Sequence, residues 1–436
     1  MSSKSASLSR RGPRWSVLLG VSLVLGALFL AACGSSAQPA AAPAVVEKVV
    51  EVVKEVPVEK VVQVVKEVPV EKVVVKEVAV EPARPTSVTV TDVAGRTVTV
   101  KRPVERVILG EGRQIYEIAA LQPEEPFKGI AGWVDDFKNF DRDGFNKYKE
   151  KFPEVEDIPL LGNVFRGQFS VEQAIALKPD LVTVPLGAIE SIKESGLIEQ
   201  LEKAGIQTVF VDYRENPLET TIPSTLLMGR LLGKEERAQE VVDFYQQQLN
   251  QVYSRLAKID KARPLVLLEP AAGFSDPSSC CRSYGRHSLG YLIERAGGKN
   301  LGADLFETSG TLNPEQVVAA DPDVIIVTGA AWPTASGSPV SLGYYGTPEE
   351  ARGLMKGLVS GRAGWDGLQA VDNGRFHAVW HQFYTSIYNF AALQQFAKWF
   401  YPEEFNDLDP KANFEEFHDK FLPIDYSGTF WVSLEK

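Results

Sequence analysis

Arginine and aromatic residues follow several of the predicted strands, and these side chains are the ones best suited to holding a ligand. In the first half of the chain they are Arg113, Tyr116, Trp133, Phe165 and Arg166. In the second half they are Arg282, Tyr284, Arg286, Trp332, His381 and Tyr384. Guanidinium groups form charge-assisted hydrogen bonds with anions, and they pair with aromatic faces. The set predicts a site for an anionic, partly flat ligand. For each arginine the alternative is a surface charge or a local ion-pair partner.

Two adjacent cysteines, Cys280 and Cys281, stand just before the second group. A vicinal disulfide is one interpretation, although Cα atoms one peptide apart, at ~3.8 Å, are closer than an ordinary disulfide prefers. Two inert or separately oxidised thiols are a second interpretation. A third is a soft metal ion held by Cys281 and His287, for which the sequence offers no further ligands. We therefore predict no metal ion bound directly by the protein.

The chain carries no residue pattern typical of catalysis. A nucleophile–base pair, a Gly-rich phosphate loop and a set of metal ligands are all missing, and the segment GEGR at 110–113 lacks the last glycine of a dinucleotide-binding fingerprint. The four histidines, at positions 287, 377, 381 and 418, all lie in the second half of the chain. The formal charge of −11 disfavours a nucleic-acid partner. These observations predict a binding protein without a cofactor rather than an enzyme.

The elements that must position these residues include a repeated segment. Residues 170–184, SVEQAIALKPDLVTV, return as residues 313–327, NPEQVVAADPDVIIV. Each copy predicts a helix that begins at an N-cap, Ser170 or Asn313, and ends at a Pro-Asp pair before a buried parallel strand. Two copies predict two similar α/β lobes. In open sheets of this kind, ligands bind beyond the carboxyl ends of the strands.

The predicted fold class is α/β, with two Rossmann-like lobes, each built on a parallel sheet, joined by one long α-helix. The lobes span residues 86–233 and 261–436. Residues 234–260 form the connecting helix, since apolar residues recur there at helical spacing without Gly or Pro. Because one continuous helix resists bending, we expect limited motion of the lobes. Within the first lobe we expect one helix at 189–204 and an aromatic, charged insert at 133–152.

The first 85 residues differ in composition from the rest. Residues 1–32 combine a basic start with an apolar stretch, which predicts a signal peptide. The segment LAACG at 30–34 resembles the lipobox of bacterial lipoproteins, which implies cleavage before Cys33 and lipidation of that residue; an ordinary signal peptide with a chance cysteine is the alternative. Residues 33–85 contain KEVPVEK twice in a Val/Glu/Lys tract without aromatics, which predicts a charged stalk. A self-associating Val-rich segment is the competing interpretation.

Residues 86–432 resemble the substrate-binding proteins of ABC importers for ferric siderophores, haem and cobalamin, the helical-backbone or class III periplasmic binding proteins. The resemblance rests on DVAGR at 92–96, PVERV at 103–107, the two EQ…PD segments of the repeat, LEKAG at 201–205 and AGGKN at 296–300. It implies a monomeric, extracytoplasmic protein, lipid-anchored to the outer face of the bacterial cell membrane. Its partner would be an ABC permease dimer with its ATPase.

In the resembled family one glutamate of each lobe docks into a basic pocket of the permease, and by motif these are Glu172 and Glu315. A favourable interaction with the helix dipole is an alternative reason for both glutamates. The resemblance implies an iron chelate as cargo, a ferric siderophore first, with cobalamin, haem or another metal complex as alternatives. Further alternatives are direct Zn²⁺ or Mn²⁺ capture, an enzyme of nitrogenase-like fold and a membrane-coupled sensor. The first lobe has no histidine, which argues against direct Zn²⁺ or Mn²⁺ capture. Cluster-binding cysteines are lacking, which argues against the enzyme. No transmembrane helix with a cytoplasmic domain is predicted, which argues against the sensor.

Overall fold

The computed structural model describes residues 86–274, 276, 278–332 and 340–435. The predicted signal peptide at 1–32, the lipobox cysteine Cys33 and the predicted stalk at 33–85 lie outside the described residues. Within the part of the chain that is described, no helix is both long enough and apolar enough to cross a membrane.

A β-hairpin and a five-stranded sheet begin the described chain. The strands are β1 (Ser87–Thr91), β2 (Thr97–Lys101), β3 (Val107–Leu109), β4 (Ile130–Val134), β5 (Leu160–Leu161), β6 (Leu181–Pro185) and β7 (Gln207–Val211). Strands β1 and β2 form the hairpin, with buried valines alternating with exposed residues as in a sheet covered on one face. The other five strands are parallel, in the order β5-β4-β3-β6-β7. The parallel sheet predicted for the first lobe is confirmed.

Short helices accompany this sheet. They are α1 (Ile115–Leu121), α2 (Asp136–Phe140), α3 (Arg142–Lys151), α4 (Val171–Ala176), α5 (Ile189–Ser195) and α6 (Leu197–Lys203). The helix expected at 189–204 is in fact two helices, because Gly196 adopts a left-handed conformation, at φ 62°, that ends α5. The insert expected at 133–152 begins later, since residues 133 and 134 complete β4 and the remainder forms α2 and α3.

Two consecutive helices connect the lobes, α7 (Pro217–Leu232) and α8 (Glu235–Leu256). Gly233, at φ 69°, turns the chain between them. Helix α8 has 22 residues, so its length is about 33 Å at ~1.5 Å per residue. Its Arg237 donates hydrogen bonds to the carbonyl oxygen of Ala120 in the first lobe (3.0 Å) and to that of Lys420 in the second (2.7 Å). Helix α8 is therefore the long connecting helix that the sequence predicts.

The second lobe is built on another five-stranded sheet with a two-stranded ribbon beside it. Its strands are β8 (Leu265–Glu269), β9 (Arg282–Tyr284), β10 (Lys299–Asn300), β11 (Ser309–Thr311), β12 (Val324–Gly329), β13 (Phe376–Trp380) and β14 (Trp431–Ser433). Its helices are α9 (Ser288–Arg295), α10 (Pro314–Ala320), α11 (Pro348–Gly361), α12 (Gln369–Asp372), α13 (Asn389–Phe400) and α14 (Pro410–Phe421). The main sheet has the order β10-β8-β12-β13-β14, parallel except for β14. Strands β9 and β11 form the ribbon.

The repeated segments take the same place in the two lobes. Helix α4 leads into β6 beside β3, and α10 leads into β12 beside β8. The aspartate after each helix accepts a hydrogen bond from the chain that enters the neighbouring strand: Asp180 from the N–H of Arg106 (3.0 Å), and Asp323 from that of Leu265 (2.7 Å). Each Pro-Asp pair thus ends a helix and joins two strands, and the prediction of two similar α/β lobes is confirmed.

Candidate ligand-binding site

A cavity of about 390 Å³ lies between the lobes. In the first lobe its walls come from residues at the ends of β3, β4, β5 and β7, and in the second from β9 and the segments after β12 and β13. Arginines, carboxylates and aromatic rings dominate the lining, which comprises Gly110, Glu111, Arg113, Val134, Asp136, Phe140, Asn163, Phe165, Arg166, Arg214, Arg282, Tyr284, Trp332, His381 and Tyr384. Residues far apart in sequence converge here because the carboxyl ends of parallel strands share one edge of a sheet.

Eight of the eleven predicted ligand contacts line this cavity. They are Arg113, Phe165, Arg166, Arg282, Tyr284, Trp332, His381 and Tyr384. The structure therefore brings together residues from both lobes that the strand-end rule selects separately. Their role as ligand contacts stays a prediction.

The other three predicted contacts lie elsewhere. Tyr116 is fully buried in α1, where its hydroxyl donates to the carboxylate of Asp141. Trp133 is 1% exposed and packs among aromatic rings in the core. Arg286 lies at the surface and pairs with Asp304. The expectation that these three face the cavity is not met, because a residue at or near a strand end can point to either face of the sheet.

Arg113 crosses the boundary between the lobes at the cavity wall. Its Nε donates to Asp136 Oδ2 (2.7 Å) and its Nη2 to Glu111 Oε1 (2.8 Å), both in the first lobe. Its Nη1 donates to Gln382 Oε1 and to the hydroxyl of Tyr384 in the second lobe, each at 2.7 Å. The side chain is only 6% exposed. Because the protein itself engages most of its N–H groups, Arg113 acts first as a link between the lobes.

Burial and charge act in opposite directions on this network. Burial raises the pKa of Asp136, while the charge and hydrogen bond of Arg113 lower it; the net shift is upward from the ordinary value. For Arg113 burial lowers the pKa, but neighbouring Tyr384, Glu111 and Asp136 outweigh it and raise the pKa well above the ordinary value. The guanidinium is therefore charged. Removing it would leave the buried carboxylate of Asp136 without an ion-pair partner among the described residues, and that of Glu111 with Arg214 alone.

Arg214 lines the cavity but is not among the predicted contacts. Its guanidinium lies between the rings of Phe165 and Tyr384, 4.8 and 5.1 Å from their centroids. Carboxylate oxygens of Glu111 and Glu215 lie 3.8 Å from it, and its Nε is buried without a hydrogen-bond partner in the described chain. Arg214 follows β7, so the strand-end rule was the signal that could have found it. An anionic group of a ligand could therefore accept a hydrogen bond from the charged guanidinium of Arg214.

Arg166 and Arg282 line the cavity from opposite lobes. Neither has a carboxylate oxygen within 4.0 Å of its guanidinium among the residues that the structure describes. With Arg113 and Arg214, the cavity wall carries four arginines against two carboxylates, those of Glu111 and Asp136. This surplus of positive charge favours an anionic ligand.

His381 enters the cavity wall as a neutral ring. Burial, followed by the positive charges of Arg113, Arg214 and Arg282, lowers the pKa of His381 to about 3. Its Nδ1 forms a hydrogen bond of 2.6 Å with the hydroxyl of Thr328, which orients the ring. At neutral pH the imidazole therefore offers the cavity a polar edge without adding charge.

Further hydrogen bonds join the lobes beside the cavity. Trp332 Nε1 and Gln382 Nε2 both donate to the carbonyl oxygen of Phe140, at 2.7 and 2.5 Å. The backbone N–H of Ile387 donates to the buried carboxylate of Glu117 (2.9 Å). The lobes thus meet through direct polar contacts, and a ligand larger than the cavity would have to break some of them.

Cys280 and Cys281 are joined as a vicinal disulfide in the structure. Among the described residues, the group with metal-ligand spacing is Glu269 with these two cysteines, and His287 is not part of it. Both carboxylate oxygens of Glu269 accept hydrogen bonds from Arg362, at 2.6 and 2.8 Å. A metal ion at this place would have to displace an arginine and open the disulfide.

Glu172 and Glu315 occupy equivalent places at the surface. Each is the second residue of its helix, α4 or α10, and each is exposed. Neither has a positively charged nitrogen within 4.0 Å in the described ranges. Both carboxylates are therefore accessible to another molecule, and their docking role stays a prediction.

Comparisons with known proteins agree with this arrangement. The family model described as periplasmic binding protein matches residues 132–379, more than half of the chain. The TroA-like periplasmic binding protein FepB from Veillonella parvula has a similar structure, with a TM-score of 0.74 and 36% sequence identity, over 80% of this chain and 99% of that chain. The molybdate periplasmic binding protein MolA from Haemophilus influenzae shares the fold at 20% identity, with a TM-score of 0.58, over 78% of this chain and 99% of that chain.

Among curated proteins, a cobalamin-binding protein of Halobacterium salinarum is 28% identical over 191 residues, which are 43% of this chain and 48% of that protein. The chain thus spans about half the length of the curated relatives that it matches. These similar proteins are named as binding proteins rather than enzymes. With its two α/β lobes, its long connecting helix and its cavity between the strand ends, the chain belongs to the periplasmic binding protein family, and its structure is similar to that of a TroA-like member.

Proposed function

We propose that the protein captures an anionic metal chelate, foremost a ferric siderophore, in the cavity between its lobes and delivers it to an ABC permease. The observation that carries the proposal is the cavity wall, where four arginines stand against two carboxylates. N–H groups that can donate to a ligand remain on Arg166, Arg214 and Arg282. Most N–H groups of Arg113 already donate hydrogen bonds within the protein. An iron(III) chelate built from acidic oxygen donors is an anion that such guanidiniums can bind.

The aromatic residues of the wall fit the same ligand class. Phe165, Tyr284, Trp332 and Tyr384 line the cavity, and ring faces stack on flat, conjugated ligand groups. A volume of about 390 Å³ is toward the lower end of small-molecule sites. A molecule as large as cobalamin would require the lobes to separate.

Cobalamin is the second candidate ligand. The reason is the curated relative in Halobacterium salinarum, whose name states that it binds cobalamin. For cobalamin to enter, the hydrogen bonds that Trp332 and Gln382 donate to Phe140 would have to open. A ferric chelate of acidic oxygen donors is placed first because its negative charge matches the surplus of arginines in the cavity wall.

The proposal extends to the surroundings of the protein. Lipidation of Cys33 would hold it at the outer face of the cell membrane, with residues 33–85 as a stalk, and it would act as a monomer. Glu172 and Glu315 would dock the two lobes onto the permease dimer. The support is the lipobox sequence, the family membership and the exposure of both glutamates.

The test is a fluorescence titration of the full chain with a panel of metal complexes. The panel contains ferric catecholate and hydroxamate siderophores, cyanocobalamin, haemin and molybdate, and each chelator without its metal. We expect saturable quenching by a ferric chelate with a Kd of about 1 µM or lower. Because Trp332 lines the cavity, Trp332→Phe should remove much of the quenching while calorimetry still detects binding. If cobalamin bound and no ferric chelate did, the second candidate would replace the first; if nothing bound below about 100 µM, both would be wrong.

A further inference from the structure

Cys280 and Cys281 form, together with Glu269, a group of three potential metal ligands in the second lobe. Their ligand atoms all lie within 4.8 Å of one another. Bonds from a zinc ion to sulfur or oxygen are about 2.0–2.3 Å long, so one ion reaches donors that lie up to about 4.6 Å apart. Small movements therefore suffice to bring all three donors onto one ion once the disulfide is open. His287, the partner that the sequence suggests for Cys281, lies 3.0 Å from a carboxylate oxygen of Glu215 instead.

Hydrogen bonds hold the backbone on both sides of the cysteine pair. The carbonyl oxygen of Ser279 accepts from Arg362 Nη2 (2.6 Å), and that of Cys281 accepts from the N–H of Leu312 (2.9 Å). Neither bond involves a sulfur atom, so reduction of the disulfide removes neither of them. The two thiols then stay beside Glu269, which is 3% exposed at the end of β8. A site whose ligands are held in place binds more tightly, because less conformational entropy is lost on binding.

The charges around the cysteine pair suit a divalent cation. Positively charged groups favour the thiolate form of a cysteine, which is the form that binds metals, and Arg282 and Arg362 supply such groups. Two thiolates and the carboxylate of Glu269 carry negative charges that balance one divalent cation and the guanidinium of Arg362. The cation takes one carboxylate oxygen from Arg362, which keeps its bonds to the other oxygen and to the carbonyl oxygen of Ser279.

A second cavity, of about 270 Å³, gives access to this group. Glu269 and Cys280 line it, and so does Asp276, an exposed residue, so an ion can enter from solvent. Cys281 is fully buried behind Cys280 in the chain. Arg282 lines both this cavity and the one between the lobes, but the other three residues line only the second cavity. The group is therefore separate from the candidate ligand-binding site.

We propose that the reduced chain binds one soft, thiophilic divalent cation through the thiolates of Cys280 and Cys281 and the carboxylate of Glu269. A dithiol reductant opens the disulfide: the two cysteine sulfurs gain two electrons and two protons, and the reductant becomes a cyclic disulfide. Binding of the cation then releases both thiol protons. The oxidised chain has no thiolate at this place, so the disulfide controls whether the site exists. The site is independent of the proposed function, and the prediction of no directly bound metal ion then holds for the oxidised chain alone.

The test is a titration with Cd²⁺ as the probe. The full chain carries Cys33→Ser, so that the cysteine pair supplies every thiol. The protein is reduced and desalted without oxygen, and its thiols are counted before the titration. We expect two thiols per chain and an ultraviolet thiolate-to-cadmium absorption band that saturates at one ion per chain, with a Kd of about 1 µM or lower. Cd²⁺ should also raise the melting temperature of the reduced chain. The oxidised chain should show neither effect, and Mg²⁺, which prefers oxygen ligands, should not compete.

Three variants test the assignment of the ligands. Cys280→Ser should abolish the saturable band, and Glu269→Gln should weaken Cd²⁺ binding at least about tenfold. The matched control His287→Ala should leave Cd²⁺ affinity unchanged. If circular dichroism shows that Glu269→Gln does not fold, Glu269→Asp takes its place, because the shorter side chain withdraws the carboxylate and should weaken binding as well.

Several results would overturn the proposal. One is the absence of the band in a folded chain with two counted thiols. Another is a disulfide that resists reduction until the chain unfolds. Equal Cd²⁺ affinity in Cys280→Ser would show that the band comes from another place, and unchanged affinity in the Glu269 variant would exclude the carboxylate as a ligand.

Discussion

Replacing Arg113 by methionine should destabilise the folded protein strongly. The change removes the four hydrogen bonds that the side chain donates to Asp136, Glu111, Gln382 and Tyr384. It leaves the buried carboxylate of Asp136 without an ion-pair partner among the described residues, and that of Glu111 with Arg214 alone, 3.8 Å away. Removing one partner of a buried ion pair typically costs about 3–5 kcal/mol. For a protein of this size, that loss lowers the melting temperature by roughly 4–7 °C.

The loss of stability caused by Arg113→Met should become smaller as the pH falls. Burial already raises the pKa of Asp136 in the intact protein, and without Arg113 the hydrogen bond from the backbone N–H of Gly112 would be left to oppose that rise. A carboxyl group whose pKa is higher in the folded state binds a proton more readily there, so folding is favoured at low pH and disfavoured as pH rises through the folded-state pKa. The difference in melting temperature between wild type and Arg113→Met should therefore be smaller at about pH 5 than at about pH 7.5.

Differential scanning calorimetry of both proteins at the two pH values measures this effect. The matched control is Arg166→Met, which removes an exposed guanidinium from the same cavity and should change the melting temperature by about 1 °C or less. If Arg113→Met melted like Arg166→Met, or if its deficit grew on acidification, the reasoning that Arg113 links the lobes through a buried ion pair would be refuted.

Three further predictions concern the ligand, the partner and the acid response. Arg214→Gln with Arg282→Gln should weaken ferric chelate binding in calorimetric titrations by at least about a hundredfold, since a hydrogen bond to a charged group contributes about 1.5–3 kcal/mol. Glu172→Ala with Glu315→Ala should abolish cellular uptake of labelled chelate without changing its affinity, because both glutamates lie outside the cavity. Burial lowers the pKa of His377 in the folded protein to about 3. Below about pH 6.5 this histidine is therefore protonated in the unfolded chain but not in the folded one, which favours unfolding and lowers stability. His377→Phe should reduce that loss between about pH 6.5 and pH 4, in urea unfolding, by on the order of 2 kcal/mol.

Matched controls accompany these variants. Arg286→Gln removes a guanidinium that pairs with Asp304 outside the cavity, so chelate affinity should not change. Glu236→Ala removes an exposed carboxylate of α8 and should leave uptake intact. If the first control weakened chelate binding or the second abolished uptake, the change in the net charge of the protein, and not the loss of the named residues, would explain the effects. An acid response of His377→Phe equal to that of wild type would contradict the role given to that histidine.

Local sequence signals predicted the fold well because breakers and periodicity act over a few residues. The Pro-Asp pairs ended their helices, and their aspartates, Asp180 and Asp323, bond the neighbouring strands. The uninterrupted helical spacing at 235–258 gave α8. Gly196 was the exception, because a single glycine in a helical pattern is either tolerated or ends the helix. Its left-handed conformation is a property of the folded chain that the local pattern does not determine.

The candidate site was predictable in location but less so in detail. The strand-end rule selected the loops that form the cavity, and Arg214 after β7 was within its reach. The rule does not say which way a side chain points, and so Tyr116 and Trp133 proved to be core residues. Nor does it reveal partners: Arg113 bonds Gln382 and Tyr384, which are 269 and 271 residues away in the chain. Such pairings exist only once the two lobes meet.

Hydrogen–deuterium exchange of the full chain, with and without the tightest-binding chelate of the panel, tests most directly that the cargo lies between the lobes. We predict that the ligand slows exchange in both lobes at once, in peptides with Arg166 and Arg214 on one side and Tyr284 and His381 on the other. Slower exchange in one lobe alone, or only around Cys280, would contradict binding in the shared cavity.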